Sequence, residues 1–192
     1  MPYLVRMRTI LRPAAAALVL FAALAATGCA PGPAKPHTPT PSSTPLFASD
    51  EEALAAAEEA YAAYLAVSDQ IFQDGGREPD RLLEVATEQV VNAQMDGYEQ
   101  AAANGWTSTG STKLDTVSLQ WFDPDRTKAA ISIYGCVDLS GVDVVDANGT
   151  SVVSANRPDR SPFQVTFDLS STNASQIVVS GEKPWTGENF CL

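Results

Sequence analysis

The apolar residues of this 192-residue chain repeat with two different periods, and the order of the two periods sets the fold class. Between residues 50 and 104, apolar side chains recur at steps of three and four, which is the spacing of one helix face. After Trp106, apolar and polar residues alternate, as they do in strands with one buried face. Helices followed by antiparallel strands predict an α+β domain whose N-terminal helices pack on one face of a curved antiparallel sheet.

The first predicted helix spans residues 50 to 73 and is the longest. Ser49 followed three residues later by Glu52 is a capping box, in which each side chain satisfies a free backbone N–H of the first turn. Two shorter helices follow, over residues 79–85 and 87–104, and Asn104-Gly105 is a helix stop. The stripe that faces the core holds Leu54, Ala57, Tyr61, Leu65, Ser68 and Phe72, flanked by Tyr64 and Ile71.

The predicted strands cover residues 117–122, 129–137, 163–169 and 176–180, with a hairpin over 142–153 around Asn148-Gly149. Simple alternation places Val117, Leu119 and Trp121 on one face of the first strand. In the second strand, Gly135 is a candidate β-bulge.

Residues 1–28 have the three parts of a secretory signal: basic residues, a short apolar run over 14–26 and a small-residue cleavage site. The run is shorter than the ~20 apolar residues that a membrane-spanning helix needs. Cys29 follows the site directly. An ordinary cleaved signal is one interpretation. The other is acylation of the Cys29 thiol, because the stretch 26–29 resembles the lipobox of bacterial lipoproteins, with Ala26 where Leu is usual.

That resemblance implies that Cys29 is the mature N-terminus and carries diacylglyceryl and palmitate groups. These chains would anchor the protein to the outer face of the cell membrane, since each buried CH₂ contributes ~0.8 kcal/mol. Residues 29–45 then form a tether, with six prolines in positions 30–45, and proline prevents packed secondary structure there. The folded domain is expected over residues 46–192.

His37 is the chain's one histidine and lies in the tether, so residues 46–192 contain none. Ser-His, Cys-His and His-metal chemistries are therefore excluded from the domain. No phosphate-binding, nucleophile-elbow or zinc motif is present, and we expect no cofactor. Without the signal, nine basic residues face 23 acidic ones, a net charge of −14. Such a surface argues against nucleic acid as a partner.

Cys136 and Cys191 remain when Cys29 is acylated. An even pair in an exported domain favours a disulfide, and two buried free thiols are the alternative. The pair lacks the CxxC spacing of redox catalysts.

The element order is similar to the cone-shaped fold of nuclear transport factor 2, ketosteroid isomerase and the SnoaL-like cyclases. Residues 63–65, 134–138 and 185–191 also resemble stretches of uncharacterised secreted lipoproteins from high-GC Gram-positive bacteria. The resemblance implies a cavity between the first helix and the concave sheet. It implies no single activity, because this fold hosts enzymes, binders and assembly modules.

Two functions remain open at this point. The first is a non-catalytic module that binds a small apolar ligand or an envelope protein, and we expect this rather than an enzyme. The alternative is a small isomerase or cyclase, whose carboxylate base and tyrosine donor act inside the cone. Tyr61, Tyr64 and Tyr134 are the candidate cavity residues, with Asp138 near the mouth.

Overall fold

The computed structural model of the chain describes residues 46–124, 131–173 and 175–192. The predicted signal sequence, the acylation at Cys29 and the tether lie outside these residues, as do positions 129 and 130 of the second predicted strand. Within the described part, no helix has the length and apolar character needed to cross a membrane.

The helices occupy the predicted positions. Ser49 Oγ accepts the Glu52 N–H at 3.3 Å, as predicted, and Glu52 Oε2 reaches back to the Ala48 N–H at 2.7 Å, one residue before the cap. Gly105 ends the last helix with a φ of 67°, a left-handed conformation that glycine adopts without strain. The three helices are α1 (Asp50–Gln73), a 3₁₀ helix (Pro79–Glu84) and α2 (Glu88–Asn104).

Two antiparallel sheets follow the helices. The larger has the strand order β2-β3-β5-β6, and the smaller pairs β1 with β4. The strands are β1 (Thr107–Thr109), β2 (Lys113–Phe122), β3 (Ile131–Asp138), β4 (Asp143–Val145), β5 (Arg160–Leu169) and β6 (Ile177–Pro184). Helices packed against antiparallel sheets confirm the predicted α+β class.

The predicted hairpin over 142–153 forms only in part. Asp146 Oδ1 accepts the N–H groups of Asn148 at 2.8 Å and Thr150 at 2.9 Å, which closes the turn. Beyond it, the returning chain makes one bridge, Val145 to Ser151, and β4 pairs with β1 instead.

The core lies between the helices and one face of the larger sheet, which we call the inner face. Fully buried side chains from α1 and α2 meet those of the central strands there, and the opposite, outer face is more polar. The inner-face residues of β3, β5 and β6 include Ile131, Ile133, Val137, Val165, Phe167 and Val179.

Two irregularities in β2 change which side chains reach the core. The register moves from Asp115–Cys136 to Ser118–Tyr134, and Thr116 has a φ of 51°. A second shift lies between Leu119 and Trp121. The prediction for Trp121 was therefore wrong: Trp121 is 39% exposed, and Phe122 packs on the core in its place.

Gly135 does not bulge, because β3 pairs with β5 in continuous register. The irregularity belongs to the facing strand, β2. A Cβ at Gly135 would lie 2.7 Å from Leu114 Cδ1, so glycine at this position makes room for the Leu114 side chain.

The Cys136–Cys191 pair forms the predicted disulfide, with Cα atoms 5.6 Å apart. It holds the C-terminal segment, residues 185–192, against the outer face. Arg160 Nη1 donates to the Cys191 carbonyl at 2.6 Å, and Arg160 also pairs with Asp115. The segment is thus fixed to the sheet by a covalent bond and by a charged side chain.

Candidate functional site

A β-bulge in β6 turns a carboxylate toward the helices. Thr166 pairs with Gly181 but Phe167 pairs with Val179, so Ser180 is the extra residue. Beyond the bulge, Glu182 pairs with Val165 on the inner face. Strict alternation from Val179 would have placed it on the outer face. The bulge therefore puts an ionisable group among apolar side chains.

Three neutral donors from the two helices meet Glu182. The Tyr61 hydroxyl donates to Oε1 in a short hydrogen bond, and the Tyr64 hydroxyl donates to Oε2 at 3.3 Å. Gln94 Nε2, from α2, donates to Oε2 at 3.4 Å. The Tyr61 and Tyr64 rings stack with centroids 5.6 Å apart. We call Glu182, Tyr61, Tyr64 and Gln94 the Glu182 cluster.

Burial controls the proton affinities of this cluster. Loss of solvation raises the pKa of Glu182, and the hydrogen bonds from Tyr61 and Tyr64 oppose that rise. Burial, followed by the nearby Glu182 charge, raises the pKa of both tyrosines well above the usual range. Tyr61 and Tyr64 therefore stay protonated and act as hydrogen-bond donors at neutral pH.

Part of the cluster lines a cavity of about 320 Å³ between the helices and the strands, which we call the Glu182 cavity. Glu182, Tyr64 and Gln94 supply polar groups to its wall. Most of the remaining wall is apolar, from Leu65, Phe72, Val137, Leu139, Val142 and Val144.

Two further charged side chains line the Glu182 cavity, and both are held by the fold. Asp69 accepts the N–H and the hydroxyl of Thr112, each at 2.7 Å. Arg157 Nη2 donates to the carbonyls of Leu139 at 3.0 Å and Val142 at 2.7 Å. Arg157 Nε is buried and has no hydrogen-bond partner among the described residues.

Of the four predicted cavity residues, Tyr61 and Tyr64 lie together beside Glu182, and Tyr134 and Asp138 lie on the other side of the sheet. Tyr134 and Asp138 lie on the outer face, because β3 alternates regularly and its inner positions are Ile131, Ile133 and Val137. The Tyr134 and Trp185 rings pack edge to face with their centroids 5.0 Å apart. Asp138 accepts the Ser140 N–H at 2.8 Å, and bonding to Ser140 lowers the pKa of Asp138.

Glu182 and Gln94 were missed by the sequence reasoning. The signal that could have found Glu182 is Gly181, since a glycine inside a strand often marks a bulge that re-aims the next side chain. A Cβ at Gly181 would lie 2.7 Å from Thr166 Oγ1. Among the described residues, no three His, Cys, Asp or Glu side chains form a group that could hold a metal ion.

Comparison with known proteins gives no family. No protein-family model matches the chain, and no curated protein matches it. The intermembrane space region of the chloroplast protein ARC6 is 14% identical, with 70% of this chain and 97% of that chain covered and a TM-score of 0.49. A de novo β-sheet design is 12% identical, covering 69% and 93%, with a TM-score of 0.28. At these scores and identities, neither likeness carries an argument about function.

Proposed function

We propose that this protein is a lipid-anchored lipoprotein on the outer face of the cell membrane, whose domain binds a small, largely apolar ligand in the Glu182 cavity. The signal-like residues 1–28 and the thiol of Cys29 support the anchor. The order of helices and strands supports a domain of the nuclear transport factor 2-like cone class. The protein acts by binding, and its tether lifts the domain away from the headgroups.

One observation carries the binding proposal: a cavity whose wall combines apolar side chains with polar and charged groups, among them Glu182, Asp69 and Arg157. The space of about 320 Å³ between the helices and the strands is a concave cleft that is partly open to solvent. Ligand sites are mostly apolar concavities in which a small number of polar groups fix the orientation of the ligand. Glu182, Tyr64 and Gln94 have that role here.

Isomerase-type chemistry is the second candidate, with Glu182 as the base in place of Asp138. The raised pKa of Glu182 favours it, because general bases work best with a pKa near the operating pH. However, such a site needs a donor that faces the substrate. The hydroxyls of Tyr61 and Tyr64 donate to the carboxylate itself. The geometry therefore favours binding over catalysis.

Native mass spectrometry of the full chain, released gently from membranes in a mild detergent, tests the binding proposal. We expect an adduct that is absent from the Val144→Trp variant, because the indole would fill the Glu182 cavity. A matched control is Val152→Trp, at a 40% exposed position outside that cavity, which should keep the adduct. A bare protein in all three samples would contradict ligand binding and favour an envelope protein as the partner.

The anchor has a separate test. Cys29→Ala should move the protein from the detergent phase to the aqueous phase in a detergent-partitioning experiment. Cys191→Ala is the control, because it removes a cysteine of the same chain and leaves the N-terminal thiol in place. Equal partitioning of the unmodified chain and the Cys29→Ala variant would show that Cys29 carries no lipid.

A further inference from the structure

The carboxylate of Glu182 has no cationic partner in the described part of the chain. The ion pairs there join Arg81 to Asp74 and Arg160 to Asp115. Lys183, the nearest basic residue in sequence, pairs with Gln164 on the outer face. A partly buried carboxylate that is stabilised only by neutral donors leaves an attraction for a cation unsatisfied.

The two oxygens of Glu182 differ in how well they are satisfied. Oε1 accepts the short hydrogen bond from Tyr61. Oε2 has two long contacts, 3.3 Å from Tyr64 and 3.4 Å from Gln94, and the Glu182 side chain lines the cavity. A charged N–H donor at the usual 2.7–2.9 Å would bond Oε2 more strongly than either neutral group does.

We infer that the ligand of the Glu182 cavity is an organic amine, whose protonated nitrogen binds Glu182 Oε2 and whose apolar body lies against Phe72, Val142 and Val144. This inference rests on the proposed binding function and specifies the ligand class. Asp69 and Arg157 also line the cavity, so its charged groups are two carboxylates and one guanidinium. Arg157 Nη2 donates to two backbone carbonyls, whereas its Nε has no partner among the described residues. Arg157 is therefore the competing site for an anionic ligand, which a carboxylate probe tests.

The negative charge on the rest of the domain also favours a cationic ligand. The part of the chain after the predicted signal has a net charge of −14. Such a field raises the local concentration of cations and repels anions, although salt screens it beyond about 8 Å at physiological ionic strength. An amine is therefore favoured over a carboxylate both at the surface and at Oε2.

Three probes of similar size separate the alternatives: benzylamine, benzyl alcohol and benzoate. Their binding to the full chain in one mild detergent is measured by saturation-transfer NMR titration. We expect benzylamine to bind at least tenfold more tightly than benzyl alcohol, and benzoate to bind most weakly. Glu182→Gln should weaken benzylamine binding about tenfold or more and leave benzyl alcohol within twofold. Glu84→Gln removes the same charge from an exposed position and should change neither.

A second measurement varies the charge of Glu182 by pH. Lowering the pH protonates Glu182 in the unmodified chain, so benzylamine affinity should fall while benzyl alcohol affinity stays constant. Asp69 and Arg157 line the same cavity, and Tyr61 and Tyr64 contact the carboxylate. The pH series is therefore repeated with Glu182→Gln, and any dependence that survives belongs to those other groups.

The outcomes separate the inference from the function beneath it. If benzylamine binds no better than benzyl alcohol, or if Glu182→Gln and low pH leave it unchanged, the amine inference is overturned while cavity binding stands. Tightest binding by benzoate, lost in Arg157→Gln, also overturns it. If none of the three probes binds and Val144→Trp changes no spectrum, cavity binding and the amine inference both fail.

Discussion

The Cys136–Cys191 bond closes a loop of 55 residues, and its removal should destabilise the domain strongly. The perturbation is the double variant Cys136→Ala, Cys191→Ala. A cross-link restricts the unfolded chain, and the chain-entropy relation for a loop of this length gives about 4 kcal/mol at 25 °C. Both cysteines are buried, at 0% and 3% exposure, so the loss of the sulfur atoms also leaves a small void that adds to the cost.

Urea unfolding followed by tryptophan fluorescence measures this loss. We expect the free energy of unfolding to fall by about 4 kcal/mol relative to the oxidised chain, and the m-value to rise because the unfolded chain expands. The single variant Cys191→Ala should lose nearly as much, since either cysteine alone cannot close the loop. Full reduction of the unmodified chain should have the same effect.

The double variant Cys136→Ala, Cys191→Ala also tests how the C-terminal segment is held on the sheet. Arg160 still holds the Cys191 backbone carbonyl when the sulfur is gone, so the segment should remain on the outer face in the folded state. Protection of its amides from hydrogen exchange reports on this contact.

A loss of less than about 1 kcal/mol in the free energy of unfolding of the double variant would refute the reasoning that the disulfide acts by restricting the unfolded chain.

Three further predictions concern the inner face and the helix ends. Tyr61→Phe should cost about 1.5–3 kcal/mol, because Tyr61 is fully buried and its hydroxyl donates to a charged group. Tyr64→Phe should cost under about 1 kcal/mol, because its contact with Glu182 is long, at 3.3 Å. Urea titration compares the two variants. The pKa of Glu182 is raised on folding, so the native state binds the proton more strongly than the unfolded chain does. The free energy of unfolding should therefore fall as the pH rises from about 4.3 through the raised pKa of Glu182. Glu182→Gln should show no such fall, and a slope retained in this variant would contradict the assignment to Glu182. Gly76→Ala should destabilise the domain by at least about 3 kcal/mol, because the added Cβ would lie 2.0 Å from a backbone oxygen of α2. Gly105→Ala should cost only about 1 kcal/mol for its positive φ, because no atom lies within 4 Å of the added Cβ. Equal melting temperatures for the two variants would contradict this difference.

The helical half of the fold could be predicted because its signals are local. A helix cap depends on residues within one turn, and Ser49 and Glu52 form the predicted cap. The core face of α1 was predicted in part: Ala57, Tyr61 and Leu65 are buried as expected, whereas Ala53, Tyr64 and Ile71 are more buried than Leu54, Ser68 and Phe72. Gly105 ends α2 for the same kind of reason, a left-handed φ that glycine accepts without strain.

The strands were predictable as elements, and their faces were predictable only where no residue is inserted, as in β3. Period-two alternation assumes that no residue is inserted, and one extra residue exchanges the two faces for the rest of the strand. That exchange placed Trp121 outside and Phe122 inside. In β6 it placed Glu182 inside. A bulge is fixed by pairing with a distant strand, so a glycine in a strand marks only a candidate: Gly181 follows a bulge and Gly135 does not.

The tyrosines of α1 nevertheless required a hydrogen-bond acceptor beside their hydroxyls. Tyr61 and Tyr64 are three residues apart on an apolar helix face, so their hydroxyls point into the same region of the core. A buried tyrosine hydroxyl is costly without an acceptor, and one carboxylate with two oxygens can accept from both hydroxyls. Carboxylates meet that need, and among those of the strands only Glu182 is turned inward beside these rings in the described structure. The helix thus requires an acceptor beside its tyrosines, and the bulge before Glu182 determines that a carboxylate supplies it.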